Sequence, residues 1–273
     1  MTDYSLSNLD GLPVRSSGGY AQEKLTYVAK YQDIFANGMK NRWPDRTYVD
    51  LMAGPGRCVD RDSGEEFEGS PMRSLAVPFT HRIFVENDLV LVDALRRRVG
   101  DGPVVIAGDC NAAPILARVR REMPAGLGLA FVDNLGLDVP LATLEALTAD
   151  RSIDLMITFQ VSDLTRNVSN VLEERADPAR FTAFFGSSDW IRIARSARER
   201  NASPSEVATE LLEFYATRLS SFGYAHVAHS SRLMKNSRNV PQYRLLLAGK
   251  HEKAVEFFEK IQRIDPSGQR SLL

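Results

Sequence analysis

Short apolar runs alternate with amphipathic segments along much of the chain. The amphipathic segments carry apolar side chains at three- and four-residue intervals, which predicts helices, the first over about 20–40. The apolar runs are rich in Val, Ile and Phe, which predicts strands buried on both faces. These strands are expected at residues 47–52, 81–88, 104–109, 128–134 and 153–159. Strand and helix therefore alternate as a doubly wound, mostly parallel sheet requires.

The pattern changes after residue 177. Helices are expected over about 178–223, followed by two more strands at 224–231 and 242–249 and a last helix. The expected fold class is α/β, with a Rossmann-like sheet of seven strands, five of them parallel and closed by an antiparallel pair. Class I methyltransferases have this arrangement, here with an added helical segment before the last two strands.

Composition and charge exclude some classes of protein. The 273 residues are 44% hydrophobic, which suits a sizeable core. Lys and Arg number 34 against 35 Asp and Glu, so no overall charge draws the chain to nucleic acid or membrane. The arginine cluster 96–98 is expected on a solvated helix face.

No apolar run approaches the roughly 20 residues of a membrane span, and the polar N-terminus does not resemble a signal peptide. We therefore expect a cytoplasmic protein without a membrane partner.

Two further features concern the organisation of the chain. Residues 1–19 contain many turn formers and few periodic apolar positions, which predicts a flexible N-terminal arm before a single domain over 20–273. Cys58 and Cys110 lie far apart with no CxxC motif. This spacing gives neither a zinc framework nor a disulfide scaffold, so we expect reduced thiols and no metal site.

Acidic residues fall at the ends of four expected strands, namely Asp50, Glu86, Asp109 and Asp133. In an open parallel sheet the carboxyl ends of the strands meet at one edge, where ligands bind. S-adenosylmethionine (SAM) suits such a set of acids. Glu86 can accept from the ribose hydroxyls, Asp109 can accept from the adenine amino group, and Asp50 can attract the cationic methionine end.

A structural alternative stays open for these acids. Asp and Asn residues at strand ends often cap the helix that follows. Asp88 and Asn111 can take this duty, which would leave Glu86 and Asp109 for a ligand.

A glycine-rich loop follows the first expected strand, in the sequence TYVDLMAGPGR. Gly54 and Gly56 allow the backbone to approach a ligand closely. An NAD site is the competing hypothesis, because the same sheet and ribose acid serve dinucleotides. The loop favours SAM, since Val59 occupies the third small position of GxGxxG and Pro55 lacks an amide that a pyrophosphate could use.

A second loop motif, EGSP at 68–71, has a structural reason of its own. Ser70 is a good N-cap and Pro71 a good first helical residue. The polar segment 61–69 before the helix is expected to be an inserted loop.

The segments DLMAGPGR, EGSP, FVEND, AGDC and AFVDNLG resemble the three-Cys-motif partner proteins (TcmP), a bacterial family regarded as SAM-dependent methyltransferase-like. The likeness extends over most of the chain. It implies matching site positions at Asp50, 53–57, 69–71, Glu86 and Asp133. The chain departs from the family pattern after Asp133, where Asn and Leu replace the Pro-Phe of a DPFG turn.

The functional hypothesis is a SAM-dependent methyltransferase whose acceptor is a small molecule or a nucleic acid. The alternative is a SAM- or nucleotide-binding regulatory partner of the TcmP family that lost catalysis, which the altered turn would allow. A three-Cys-motif protein is a further expected partner. The expected catalytic residues are Asp133 and Asn134, which would hold an amine or hydroxyl by its protons. The expected cofactor-binding residues are Asp50, Ala53, Gly54, Pro55, Gly56, Arg57, Ser70, Glu86, Asn87, Asp109 and Cys110.

Overall fold

The computed structural model describes residues 4–228 and 233–263. The strands within them are β1 (Tyr4–Leu6), β2 (Pro13–Ser17), β3 (Arg46–Asp50), β4 (Arg57–Asp60), β5 (Glu66–Glu68), β6 (His81–Glu86), β7 (Val104–Ala107), β8 (Leu127–Val132), β9 (Ser152–Phe159), β10 (His226–Ala228), β11 (Leu233–Lys235) and β12 (Pro241–Gly249). The helices are α1 (Tyr20–Met39), α2 (Ser70–Leu75), α3 (Leu89–Val99), α4 (Ala113–Glu122), α5 (Leu141–Thr148), α6 (Val161–Leu172), α7 (Ala179–Phe185), α8 (Asp189–Glu199), α9 (Pro204–Ser220) and α10 (Glu252–Gln262).

The main sheet has the strand order β7-β6-β3-β8-β9-β12-β10, and β11 also pairs with β12. Strands β3, β6, β7, β8 and β9 are parallel to one another. Strand β12 runs antiparallel to β9, and β10 and β11 run antiparallel to β12. The expected mostly parallel sheet with a terminal antiparallel pair is confirmed. The additional strand β11 lies between the last two strands that the sequence predicted.

Helices cover both faces of this sheet. Side chains alternate between the faces along each strand, so Tyr48 enters the core beneath α1, α3 and α10, whereas Val49 enters the core beneath α4 to α9. In the second core Phe184 stacks on Tyr215 with 4.5 Å between ring centroids. The sheet is therefore doubly wound, as predicted. None of the helices in the described residues is long and apolar enough to cross a membrane.

Several strands end earlier than the apolar pattern predicted. Strand β7 stops at Ala107 rather than at 109, and β8 stops at Val132 rather than at 134. The acidic residues that follow therefore lie in loops at the carboxyl edge of the sheet, where the chain leaves the hydrogen-bonded ladder. Of the strand expected at 224–231, β10 covers His226–Ala228, and residues 229–231 lie outside the described residues.

The N-terminal residues form part of a second, four-stranded sheet. Strands β1 and β2 make an antiparallel hairpin, β2 pairs in parallel with β4, and β4 and β5 make another antiparallel hairpin. The sequence predicted a flexible arm at 1–19 and an inserted loop at 61–69, and neither hairpin was predicted. Each of these strands has only three to five residues, too few for a periodic pattern to stand out.

Arg98 on α3 fastens the N-terminal hairpin to the rest of the fold. Its guanidinium donates to both carboxylate oxygens of Asp10, at 2.8 and 2.9 Å, and to the carbonyl oxygens of Leu12, Pro13 and Pro55. All five N–H donors of the arginine are thereby used. The ion pair holds the pKa of Asp10 well below its usual range. Arg98 was expected on a solvated helix face, but its side chain is only 3% exposed because these acceptors surround it.

Candidate functional site

Two neighbouring cavities open at the carboxyl edge of the parallel strands. The first, which we call the acidic cavity, has a volume of about 440 Å³, and the second, the basic cavity, has about 420 Å³. Both lie within the range of ligand sites, roughly 300–1,000 Å³. Arg15 and Met52 line both cavities, so the two are adjacent. Of the predicted residues, Glu86, Asn87, Asp109 and Cys110 line the acidic cavity, and Ala53, Gly54, Pro55, Gly56, Ser70 and Asp133 line the basic one.

Glu86 ends β6 and joins the glycine loop to the acidic cavity. Its Oε2 accepts from the Gly54 amide at 2.8 Å, and its Oε1 accepts from the amides of Asn87 and Asp88, both at 2.9 Å. The residue is only 5% exposed. A carboxylate has about four acceptor positions, so three backbone donors leave about one for a ligand in the cavity.

Asp109 lies in the loop after β7 and is exposed on the wall of the acidic cavity. Its Oδ1 accepts from the Asn111 amide at 2.9 Å. The neighbouring Cys110 is buried, and burial together with the Asp109 charge raises the pKa of its thiol to about 12. Cys110 therefore presents a neutral thiol to the cavity at physiological pH.

The two expected helix caps behave differently. Asp88 caps α3, where its Oδ1 accepts from the Val90 amide at 2.9 Å, as predicted. Asn111 was expected to cap α4, but Ala112 occupies the N-cap position without a side-chain hydrogen bond. The Asn111 side chain instead joins two loops, since it donates to the Asp138 carbonyl and accepts from the Thr143 hydroxyl.

The backbone conformation of the glycine loop requires glycine at two positions. Gly54 and Gly56 have φ of +64° and +88°, a region that other residues rarely adopt. A Cβ added at Gly56 would also lie 3.3 Å from side-chain atoms of Leu95 and Met72. The Gly69 amide donates to the Gly56 carbonyl at 2.8 Å, so the AGPGR and GSP motifs are in direct contact.

The GSP turn starts α2 one residue earlier than expected. Gly69, not Ser70, is the N-cap of this helix, and it makes no side-chain cap. Ser70 is the first helical residue, it is buried, and it lines the basic cavity beside the glycine loop. The Ser70 side chain interacts with Asp50 and lowers the pKa of that carboxyl, against the larger raising effect of burial.

Asp50 and Arg57 line neither cavity. Asp50 is fully buried beneath the glycine loop, where the Tyr48 hydroxyl and the Met52 amide each donate to it at 3.3 Å. Burial raises the pKa of Asp50 to about 7, and the charge of Asp133 adds to the effect. Arg57 starts β4 and pairs with Glu68 in the small sheet.

Asp133 lines the basic cavity and forms an ion pair with Lys24. Its Oδ1 accepts from Lys24 and, at 2.8 Å, from the Thr158 hydroxyl. Its Oδ2 accepts no hydrogen bond from the described residues. The Lys24 ammonium also lies 5.2 Å from the ring centroid of Tyr243, which lines the same cavity.

Asn134 faces the protein interior. It is 1% exposed, and its side chain donates to the Thr158 carbonyl at 3.4 Å and accepts from the Val139 amide at 3.1 Å. It lines neither cavity. Both ends of its amide therefore support the loop after β8.

Four cations of the described residues line the basic cavity, namely Lys24, Arg15, Arg61 and Arg166, and the sequence predicted none of them as a site residue. Lys24 had a detectable signal, because it lies four residues before Val28 and seven before Tyr31, on the buried stripe of α1. Arg15 had none, since it comes from the unforeseen hairpin. The Arg15 guanidinium lines both cavities, and within the described part of the chain it makes no hydrogen bond or ion pair. Across those residues no group of His, Cys, Asp or Glu is arranged to hold a metal ion.

The chain resembles known proteins in its fold. No family model matches the chain, and no curated protein matches it. The structure is similar to protein LPL1258 from Legionella pneumophila, with a TM-score of 0.50 and 9% identity over 93% of this chain and 96% of that one. It also matches Trm1 from Pyrococcus horikoshii, solved with S-adenosyl-L-methionine, with a TM-score of 0.45 and 12% identity over 86% of this chain. The fold is a Rossmann-like α/β fold with a doubly wound, mostly parallel sheet, and protein LPL1258 shares it over most of both chains.

The match to Trm1 extends over 56% of that protein, so the chain spans little more than half of its length. TYW2 from M. jannaschii, solved with AdoMet, has a TM-score of 0.45 and 10% identity over 91% of this chain and 86% of that one. At these identities the likeness is one of fold.

Proposed function

We propose that the protein is a SAM-dependent methyltransferase. The observation that carries this proposal is the pairing of the two cavities: Glu86 and Asp109 share the acidic one, while Asp133 lies in the basic one. Arg15 and Met52 line both cavities, and Gly54 of the glycine loop donates its amide to Glu86. A methyltransferase needs this division, because the cofactor and the methyl acceptor must be held side by side and in line.

The residues of the acidic cavity fit an adenosyl group. Glu86 has about one acceptor position left for a ribose hydroxyl, and the exposed Asp109 can accept from an adenine amino group. Arg15, a cation without a partner in the described residues, suits the carboxylate of the methionine moiety. Gly54 leaves room for the backbone to approach that moiety beside Arg15. When bound, the cofactor supplies an electrophilic methyl group on its sulfonium.

Asp133 is the residue that we propose to orient the acceptor. Lys24 and Thr158 occupy its Oδ1, whereas Oδ2 accepts no hydrogen bond from the described residues. That oxygen can accept a hydrogen bond from an amine or a hydroxyl group and so align the attacking atom. Asn134 was also expected to be catalytic. Its side-chain amide is hydrogen-bonded to backbone groups, so we assign it no role in orienting the acceptor.

We further propose a relation to the TcmP family. The contact between Gly69 and Gly56 supports it, because it joins the two loop motifs on which the resemblance depends. The relation predicts that a three-Cys-motif protein binds this chain, which co-expression and affinity purification test. We also propose a cytoplasmic location, because both Cys58 and Cys110 are free thiols.

Calorimetric titration with SAM and with S-adenosylhomocysteine (SAH) tests the proposed function. We expect both to bind and the Asp109→Ala variant to bind about tenfold more weakly, since one hydrogen bond to a charged group is lost. Asp101→Ala is the matched control, because Asp101 is also exposed but precedes β7 at the opposite end of that strand. Absence of binding refutes the proposal. Binding without methyl transfer to any fraction of a cell extract would instead favour a regulatory partner.

A further inference from the structure

The basic cavity has an unbalanced positive charge. Among the described residues, four cationic side chains line it, whereas Asp133 is its one carboxylate. Lys24 is neutralised by its ion pair with that carboxylate. The other three cations, Arg15, Arg61 and Arg166, form no ion pair with any described residue. Uncompensated like charges around one cavity repel one another, so such an arrangement favours an anionic ligand.

The start of α6 adds to this positive potential. The helix begins at Val161, directly after its N-cap Gln160, whose side chain makes no capping hydrogen bond. Gln160 and Ser162 both line the basic cavity, so the positive end of the helix dipole faces the same space as the arginines. Arg166, one turn along, donates its Nε to the Ser162 carbonyl at 3.0 Å, and its two terminal amino groups make no hydrogen bond with the described residues.

The acidic cavity has the opposite character. Arg15 is the one basic residue that the structure describes in its wall, against four carboxylates, namely Glu86, Asp88, Asp109 and Asp138. An anion would be repelled from the acidic cavity and attracted to the basic cavity. A nucleoside, with its hydroxyl and amino donors, suits the carboxylates of the acidic cavity. The two cavities therefore differ in charge, in a way that separates a cofactor from an anionic second ligand.

We propose that the methyl acceptor is an anion that presents a phosphate or carboxylate group to Arg61 and Arg166. This inference rests on the proposed function, since it assigns the substrate class of the same site. Guanidinium groups bind such oxyanions through paired N–H donors, and Arg15 remains for the methionine carboxylate of the cofactor. The N–H or O–H of the acceptor atom then donates a hydrogen bond to Asp133, and this carboxylate can take up the proton that the acceptor atom loses when it is methylated.

The test uses the full chain saturated with SAH and three probes: inorganic pyrophosphate, citrate and a ten-nucleotide single-stranded RNA of mixed sequence. Calorimetry compares the natural protein with the double variant Arg61→Gln/Arg166→Gln. The matched control is Arg192→Gln/Arg195→Gln, which removes the same charge from exposed positions on α8 that line neither cavity.

We expect at least one probe to bind and the Arg61/Arg166 variant to weaken that binding by about tenfold or more, because charge-assisted hydrogen bonds are lost. The control variant should bind as the natural protein does, and SAH affinity should be equal in all three. Tighter binding of RNA indicates phosphodiesters as the source of the anion, whereas pyrophosphate or citrate alone indicates a small acceptor.

Two results would overturn the inference: no probe binds the SAH-loaded protein, or the control variant weakens binding as much as the double variant does. A failure to bind SAH is a separate result that contradicts the proposed function. In that case pyrophosphate titration of the protein without SAH still decides whether the basic cavity takes anions.

Discussion

Replacing Asp50 by Asn should change how stability depends on pH. Asp50 is fully buried, and burial raises its pKa to about 7. In an unfolded chain an aspartate titrates near pH 4. Between these values the folded protein holds a proton that the unfolded chain has lost, so the free energy of unfolding falls as pH rises through this window. The Asn variant has no proton to lose at this position.

The magnitude follows from the two pKa values. A shift of about three units corresponds to roughly 4 kcal/mol in total, of which about 2–3 kcal/mol falls between pH 5 and pH 8. The stability of Asp50→Asn relative to the natural protein should therefore rise by that amount over this range. Other titrating groups, such as Asp154 with its pKa raised to about 6, occur in both proteins and cancel in the difference.

Urea unfolding at pH 5, 6, 7 and 8, followed by the fluorescence of the buried Trp190, measures this difference. Asp101→Asn, at an exposed loop position, should differ from the natural protein by less than about 0.5 kcal/mol at every pH. A difference for Asp50→Asn that stays constant with pH, or that falls, would show that the carboxyl is not held in an apolar environment and would refute the reasoning.

Two further substitutions test the supports of the site. Arg98→Lys should lower the free energy of unfolding by about 3 kcal/mol and weaken SAH binding, because a lysine cannot satisfy Asp10 and the hairpin carbonyls together. Arg97→Lys, at an exposed position on the same helix, is the control. Equal effects of the two substitutions in urea titrations would contradict the role of Arg98 in fastening the hairpin. Gly56→Ala should destabilise by more than about 1 kcal/mol and weaken SAH binding, whereas Gly38→Ala, in open space within α1, should be neutral or stabilising. Thermal unfolding of the two alanine variants decides this, and equal loss in both would count against a strained loop.

The parallel sheet could be predicted because its strands are buried along most of their length, so that runs of apolar residues identify most of them. Strand β9, for example, is buried along nearly its whole length, so its composition identifies it without knowledge of its neighbours. The small N-terminal sheet could not, because its stability comes from contacts between distant parts of the chain. Ser7 donates to Glu66 across the sheet, and Arg98 reaches Asp10 across 88 positions of sequence. Periodicity carries no information about such pairs.

The site was predictable to the extent that strand topology determines it. Parallel strands bring their carboxyl ends together, and this placed Glu86 and Asp109 on one cavity. The orientation of side chains was not predictable. Asp50 turns beneath the loop and Asn134 turns toward backbone groups, since each finds its hydrogen-bond partners there. Arg15 was missed because a single arginine in a short polar strand has no distinguishing pattern.

The most direct test of the account is a crystal structure of the protein with SAH. We expect the ribose hydroxyls at Glu86, the adenine against Asp109 and the carboxylate of the amino-acid moiety at Arg15. A complex with SAH bound away from the acidic cavity, or bound there without contact to Glu86 and Asp109, would contradict the central claim that these strand-end acids form the nucleoside site.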